Sequence, residues 1–208
     1  YHDYKDLNEN YHFAIETVNL IESKESSPEY NEKRFKYGYN IKVDYNTDQH
    51  GNWERSKDGS LTWHLGIYSP KAYAIKLNFE RFILPEGSEL YIYNKTKELS
   101  YGPYNYKDSV NETFGTPLIP GDLVIIEYYQ PSSITEMPII RLNNVIHDHV
   151  DIFNFMRSER DRDCGENVVC ESAEEYRDQS NSLIYMLINE YTCTGALINN
   201  VNNDNTPY

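Results

Sequence analysis

Hydrophobic and polar positions alternate at every second residue through most of the middle of the chain, and that period belongs to strands. Tyr39, Ile41, Val43 and Tyr45 interleave with Asn40, Lys42 and Asp44, which predicts a half-buried strand. A polar cluster at 46–52 then turns the chain. Trp53 and the alternating segment 61–67 flank Asp58-Gly59, a tight-turn pair, so the two stretches are expected to form a hairpin. Tyr73, Ile75, Leu77 and Phe79 set a further aromatic and aliphatic series on one face, and Pro85-Glu86-Gly87 closes the loop before strand-like 90–93. Pro120-Gly121-Asp122 opens 123–129, whose dense β-branched and aromatic content suits a central strand buried on both faces. Residues 139–146 supply another strand. Short strands, frequent turn signals and little helical periodicity predict an antiparallel β-sandwich, jelly-roll-like.

Upstream the pattern is mixed. Residues 7–24 fit either a short amphipathic helix or an edge strand, and 23–36 read as a linker or surface excursion. Downstream, 183–188 is a strand-sized apolar run. The three cysteines, Cys164, Cys170 and Cys193, all lie in the C-terminal part of the 208 residues, so a boundary falls between a cysteine-free unit and a cysteine-bearing one. An odd count suggests a partner elsewhere or a free thiol. The chain opens at Tyr1 without a Met or an apolar signal core, so any targeting segment is expected to have been removed or not included.

Charge narrows the partners. Lys and Arg number 19 against 33 Asp and Glu, a net charge of −14 that repels phosphate backbones and argues against nucleic acid. Apolar runs fall well short of the roughly 20 residues that span a bilayer, so membrane insertion is not expected.

Candidate chemistry is sparse. His147-Asp148-His149 could place two imidazoles on one side of a strand, but two ligands do not make a metal site, and solvated imidazoles at a strand end explain the same residues; no metal and no cofactor is expected. Tyr101, Tyr104 and Tyr106, near Gly102 and Pro103 in a loop-like stretch, could stack on sugars, although tyrosine also covers sheet faces. Asp161, Asp163, Glu166 and Glu171 sit beside Arg157, Arg160 and Arg162 in a charged stretch. Residues 158–163 contain no apolar side chain, so they read as a solvated linker that a protease could also draw into an extended form.

Two groups of motifs carry a family resemblance. Cys164-x5-Cys170, an apolar run and then Cys193-Thr-Gly-Ala-Leu-Ile-Asn-Asn resemble the opening of a trypsin-like peptidase domain of the lysyl-endopeptidase branch. Gly51-x-Trp53, Asp58-Gly59-Ser60-x-x-Trp63-x-Leu65, Phe79-x-x-Phe82-x-Leu84-Pro85-x-Gly87, Leu90-x-Ile92-Tyr93 and Pro120-Gly121-Asp122 are similar to the pro-region of such endopeptidases. The resemblance implies a β-sandwich pro-domain at 34–157, a charged linker and candidate processing site at 158–163, and the first strands of a chymotrypsin-like β-barrel at 164–208, with 1–33 unassigned. It further implies a secreted or cell-surface serine endopeptidase precursor directed at Lys or Arg. Its pro-domain would assist folding and delay activity.

By the same resemblance the catalytic histidine should follow Tyr208 within a few residues, with the carboxylate and the serine farther on. His2, His12, His50, His64, His147 and His149 all precede the peptidase-like segment, so no catalytic residue is assigned in this chain, which should be inactive alone. Cys164, Cys170 and Cys193 would bond cysteines outside the chain, and Arg157, Arg160 and Arg162 are the processing candidates. The implied partners are the remainder of its own peptidase domain and the protein substrates of the mature enzyme. The alternative is a secreted, non-catalytic β-sandwich that binds glycan or a partner protein through tyrosine-rich loops.

Overall fold

The computed structural model describes residues 35–94, 96, 98–109, 112–158 and 171–198. These divide into two compact units, the first holding 40–147 and the second 35–39 with the described residues from 148 onward. The strands in chain order are β1 (Gly38–Asn46), β2 (Asn52–Arg55), β3 (Leu61–Tyr68), β4 (Ala74–Ile83), β5 (Glu89–Asn94), β6 (Ser100–Tyr104), β7 (Phe114–Gly115), β8 (Ile119–Pro120), β9 (Leu123–Gln130), β10 (Ile139–Asp148), β11 (Leu183–Ile188) and β12 (Tyr191–Ala196).

The first unit is two sheets. One runs β1-β10-β4-β7 with β8 also on β4, and the other runs β2-β3-β9-β5-β6. Trp63, Leu65, Ile92, Ile126 and Tyr128 from one sheet meet Ile75, Leu77, Phe79, Ile140 and Leu142 from the other in a single buried cluster, the arrangement of a sandwich. The alternation read from the sequence is what fills it, since every second side chain of a strand reaches the same face. Neither a closed barrel nor a jelly-roll strand order is present among the described residues.

The turns follow the expected chemistry. Asn46 Oδ1 accepts from the N–H groups of Asp48 and Gln49, and the His50 N–H donates to Asn46 O. Asp58 Oδ1 accepts from the Ser60 N–H and hydroxyl, which closes the β2–β3 hairpin with Arg55 opposite Leu61. Gly51 has a φ of +76°, and a Cβ there would lie 2.5 Å from His64 O. Only glycine fits so close to β3.

The second sheet is covered at its centre on both faces. Trp63, His64, Leu65, Gly66 and Ile67 of β3 are all buried, as are Val124, Ile125 and Ile126 of β9. β9 is therefore the central, doubly buried strand that its composition predicts, paired antiparallel with β3 and with β5.

Three expectations are corrected. Tyr73 precedes β4 and is 54% exposed, while Ala74 begins the buried series. Tyr101 and Tyr104 belong to β6 and not to a loop: they pack against the core, and Tyr104 meets the Phe114 ring edge-on at 4.6 Å. Gly-Pro signals a turn in sequence, but Pro103 sits on an edge strand, where a missing N–H costs no ladder bond. Helices also appear in the second unit, α1 (Ile152–Ser158) and α2 (Arg177–Asn181), the latter preceded by a 3-10 helix at Glu171–Tyr176. None of the helices among the described residues is long and apolar enough to cross a membrane. The ambiguous segment 7–24 and most of 23–36 lie outside the described residues.

Candidate functional site

The second unit is organised around the β11–β12 hairpin. Its strands pair antiparallel from Leu183 opposite Ala196 to Ile188 opposite Tyr191, and Asn189 and Glu190 form the two-residue turn. Asn189 takes a φ of +50°, a conformation that asparagine tolerates better than most residues. On one face Met186 lies over Gly195, where a Cβ would stand 3.0 Å from its Cε. Ile184 crowds the same spot at 3.3 Å, so the small residue in the Cys-Thr-Gly run makes room for the two aliphatic side chains across the ladder.

A two-stranded hairpin is marginal in water and gains from a third strand. Residues 35–38 add backbone pairing along the hairpin's edge through one antiparallel bridge. Lys36 bridges Tyr191 antiparallel, the Thr192 N–H donates to Phe35 O at 2.9 Å, and the Tyr37 N–H donates to Glu190 O at 2.9 Å. The Gly38 N–H reaches the same oxygen at 3.3 Å. Tyr37 is fully buried, and its hydroxyl donates to Asn189 O at 2.7 Å. One residue thus holds both carbonyls of the hairpin turn. Burial, with Asp148 and Glu190 nearby, pushes its phenol far above the usual tyrosine range, so it stays protonated and remains a donor.

Tyr37 is held in turn. Its carbonyl accepts from the His149 N–H at 3.2 Å, and the rings of Phe35 and Phe155 stack at 4.6 Å, which ties the segment to α1. The start of α1 is capped twice. Asp151 takes the N-cap position with Oδ1 accepting from the Asn154 N–H, and the buried carboxylate of Asp148 accepts from the Val150 and Ile152 N–H groups at 3.0 and 2.9 Å. Burial raises the Asp148 carboxyl above the usual range, and the backbone N–H bonds pull against that shift.

The expected solvated imidazoles at 147 and 149 are also corrected. His147 is buried, with Nδ1 2.8 Å from Ser69 Oγ, and His149 stacks on Tyr39 at 4.3 Å. Burial lowers the basicity of His149. His147 lies at the buried end of β10, whereas His149, just beyond it, is half-buried. Groups of three or more potential metal ligands are absent among the described residues.

Two further arrangements bear on catalysis. Ser69 and His147 form a serine–histidine hydrogen bond, but Ser69 is 1% exposed and a substrate carbonyl has no access to its Oγ. The pair instead fastens the turn after β3 to the end of β10. On β3 and β9, His64 Nε2 lies 3.5 Å from Glu127 Oε2, which also accepts from the Tyr93 hydroxyl at 2.8 Å. His64 and Tyr93 are buried and Glu127 is half-buried, and among the described residues no nucleophile stands beside them.

Of the residues named from sequence, Cys193 stands on β12 opposite Met186, half-buried, with a free thiol. Arg157 falls within α1. Cys164, Cys170, Arg160 and Arg162 lie outside the described residues. Sequence reasoning missed Tyr37 and Asp148. For the second, Asp148-x-x-Asp151 just before an apolar helical turn was a readable capping signal; for Tyr37, which sits among several similar tyrosines, no local signal exists.

Residues 158–208 match the family described as lysyl endopeptidase, C-terminal domain. The matched stretch contains the whole β11–β12 hairpin, whereas 35–38, α1 up to Arg157 and the sandwich lie before it.

Proposed function

We propose that the chain is the pro-region and the opening of the peptidase domain of a secreted trypsin-like serine endopeptidase directed at Lys or Arg. One observation carries the reading: a segment far upstream, 35–38, bridges and hydrogen-bonds the first hairpin of the peptidase-like stretch. A two-stranded hairpin gains from backbone pairing with a segment already made, and 35–38 lie in the same compact unit as the hairpin. The same contact holds the hairpin in its precursor setting, which accounts for delayed activity. The charged stretch at 158–163 serves as the processing site, with Arg157, Arg160 or Arg162 as the residue cut. Cys164, Cys170 and Cys193 bond partners farther along the peptidase domain. Among the described residues no nucleophile–base pair is accessible to a substrate, and by this reading activity needs the catalytic groups of the remaining peptidase domain.

The glycan-binding alternative rested on Tyr101, Tyr104 and Tyr106; the first two pack on the core, while Tyr106, on the 3-10 turn Tyr106–Ser109, is 41% exposed. The deciding experiment expresses the longer reading frame of the encoding gene with and without residues 1–157 and assays Lys and Arg chromogenic substrates. Activity is expected only where 1–157 is present during folding. Equal activity without it, or a reading frame that lacks a downstream histidine, carboxylate and serine set, refutes the proposal.

A further inference from the structure

We infer that 35–38, headed by Tyr37, is a non-covalent catch that keeps the pro-region on the hairpin after the chain has been cut, so that release takes a second, separate step. The inference rests on the function proposed above and concerns its regulation. A cut after Arg157, Arg160 or Arg162 severs one covalent link. It breaks none of the bonds between 35–38 and 189–192, because both partners lie outside the severed stretch: Tyr37 N–H and Gly38 N–H to Glu190 O, Thr192 N–H to Phe35 O, and Tyr37 hydroxyl to Asn189 O.

The catch is also anchored on the retained side. Phe35 on Phe155 and the His149 N–H on Tyr37 O both join 35–38 to residues upstream of the cut. Backbone pairing of this kind would accept many sequences at 35–38, so selectivity falls to the one buried side chain that reaches the turn. Tyr37 fills that place completely, and its loss would leave Asn189 O without its donor. The cleaved pro-region therefore remains bound, and once displaced it can rebind as a separate inhibitor in a concentration-dependent way.

The test uses the 208-residue chain with the recognition sequence of a site-specific protease built into 159–163. After complete cleavage the two fragments are expected to co-elute on size exclusion under native conditions. Tyr37→Phe keeps the ring and removes the hydroxyl bond, and should shorten the lifetime of the nicked complex about tenfold. Tryptophan fluorescence of the sandwich should keep the same unfolding midpoint, which separates loss of the catch from general misfolding. A synthetic 33–41 peptide in excess should displace the pro-fragment, and the same peptide carrying the Tyr37→Phe change should do so poorly. Separation of the unsubstituted fragments within one column run, or equal potency of the two peptides, overturns the inference. These readouts need no catalysis. Retention beside an inactive long reading frame would defeat the peptidase reading alone, and separation beside an active one would defeat the catch alone.

Discussion

Replacing Gly51 by alanine should be among the most damaging single-methyl changes in the sandwich. The residue sits at a φ of +76°, where a Cβ costs about 1–2 kcal/mol through its clash with the backbone. The added carbon would also lie 2.5 Å from His64 O and 2.6 Å from Trp63 Nε1, so either the turn or β3 must shift. Any such shift strains the bond from Trp63 Nε1 to His50 O, now 2.9 Å, and an indole donor left unsatisfied in the core costs a further ~1–3 kcal/mol. The sum is about 3 kcal/mol. Gly121 provides the internal comparison: its φ is +108°, but nothing lies within 4 Å of a Cβ, so Gly121→Ala carries backbone strain without a collision. Urea unfolding followed by tryptophan fluorescence reads both variants, because Trp53 and Trp63 both pack in the sandwich. If Gly51→Ala is no more destabilising than Gly121→Ala, the close approach to β3 does not govern this turn and the reasoning fails.

Asp148→Ala removes the acceptor for the Val150 and Ile152 N–H groups and should destabilise the second unit by about 1–3 kcal/mol, seen as faster hydrogen exchange at 35–38 and in β12; unchanged exchange would refute the double cap. Burial holds His149 below its ordinary 6.5, so its contribution is complete above that pH and is lost as pH falls through the lowered folded value. Asp148, whose carboxyl is raised above 3.8, has the opposite sign: its contribution is complete below that pH and declines as pH rises. The difference between the parent chain and His149→Phe should therefore grow on acidification below 6.5 in the exchange of β12 amides, and a flat difference would contradict the assignment. Tyr104→Ala should lower the unfolding free energy of the sandwich by about 2 kcal/mol, less than a fully buried aromatic would cost. Unchanged stability with loss of sugar binding would instead revive the glycan reading.

Period-two alternation made the sandwich legible wherever one face was wet, as in β1, and the dense apolar run of β9 announced burial on both faces. The failures have physical causes. β6 was hidden because Gly102 and Pro103 carry turn signals, and pairing with β5 outweighed them. α1 was hidden because seven residues give barely two helical turns of periodicity, and its stability comes from Asp148 and Asp151 at its start. The hairpin's sequence showed its strands and left its third partner unreadable, since contact between 36 and 191 is a fact of topology and not of pattern. Tyr37 stayed invisible for the same reason.

The covered second sheet has one more consequence, for errors during folding. In an ordinary half-wet sheet, a strand that slips by one residue turns its apolar side chains into water, and that penalty corrects the mistake. Here Trp63 through Ile67 and Val124 through Ile126 are buried on either side, so greasiness alone cannot tell the right alignment of β3 with β9 from its neighbour. Glu127 can. In the native alignment it stands opposite His64 and accepts from the Tyr93 hydroxyl, and a single-residue slip would swing its carboxylate between the two sheets among Trp63, Leu77 and Ile92. Burying an uncompensated charge there costs several kcal/mol, enough to reject the misaligned sheet. The polar trio acts as a proofreading mark at the centre of that sheet face.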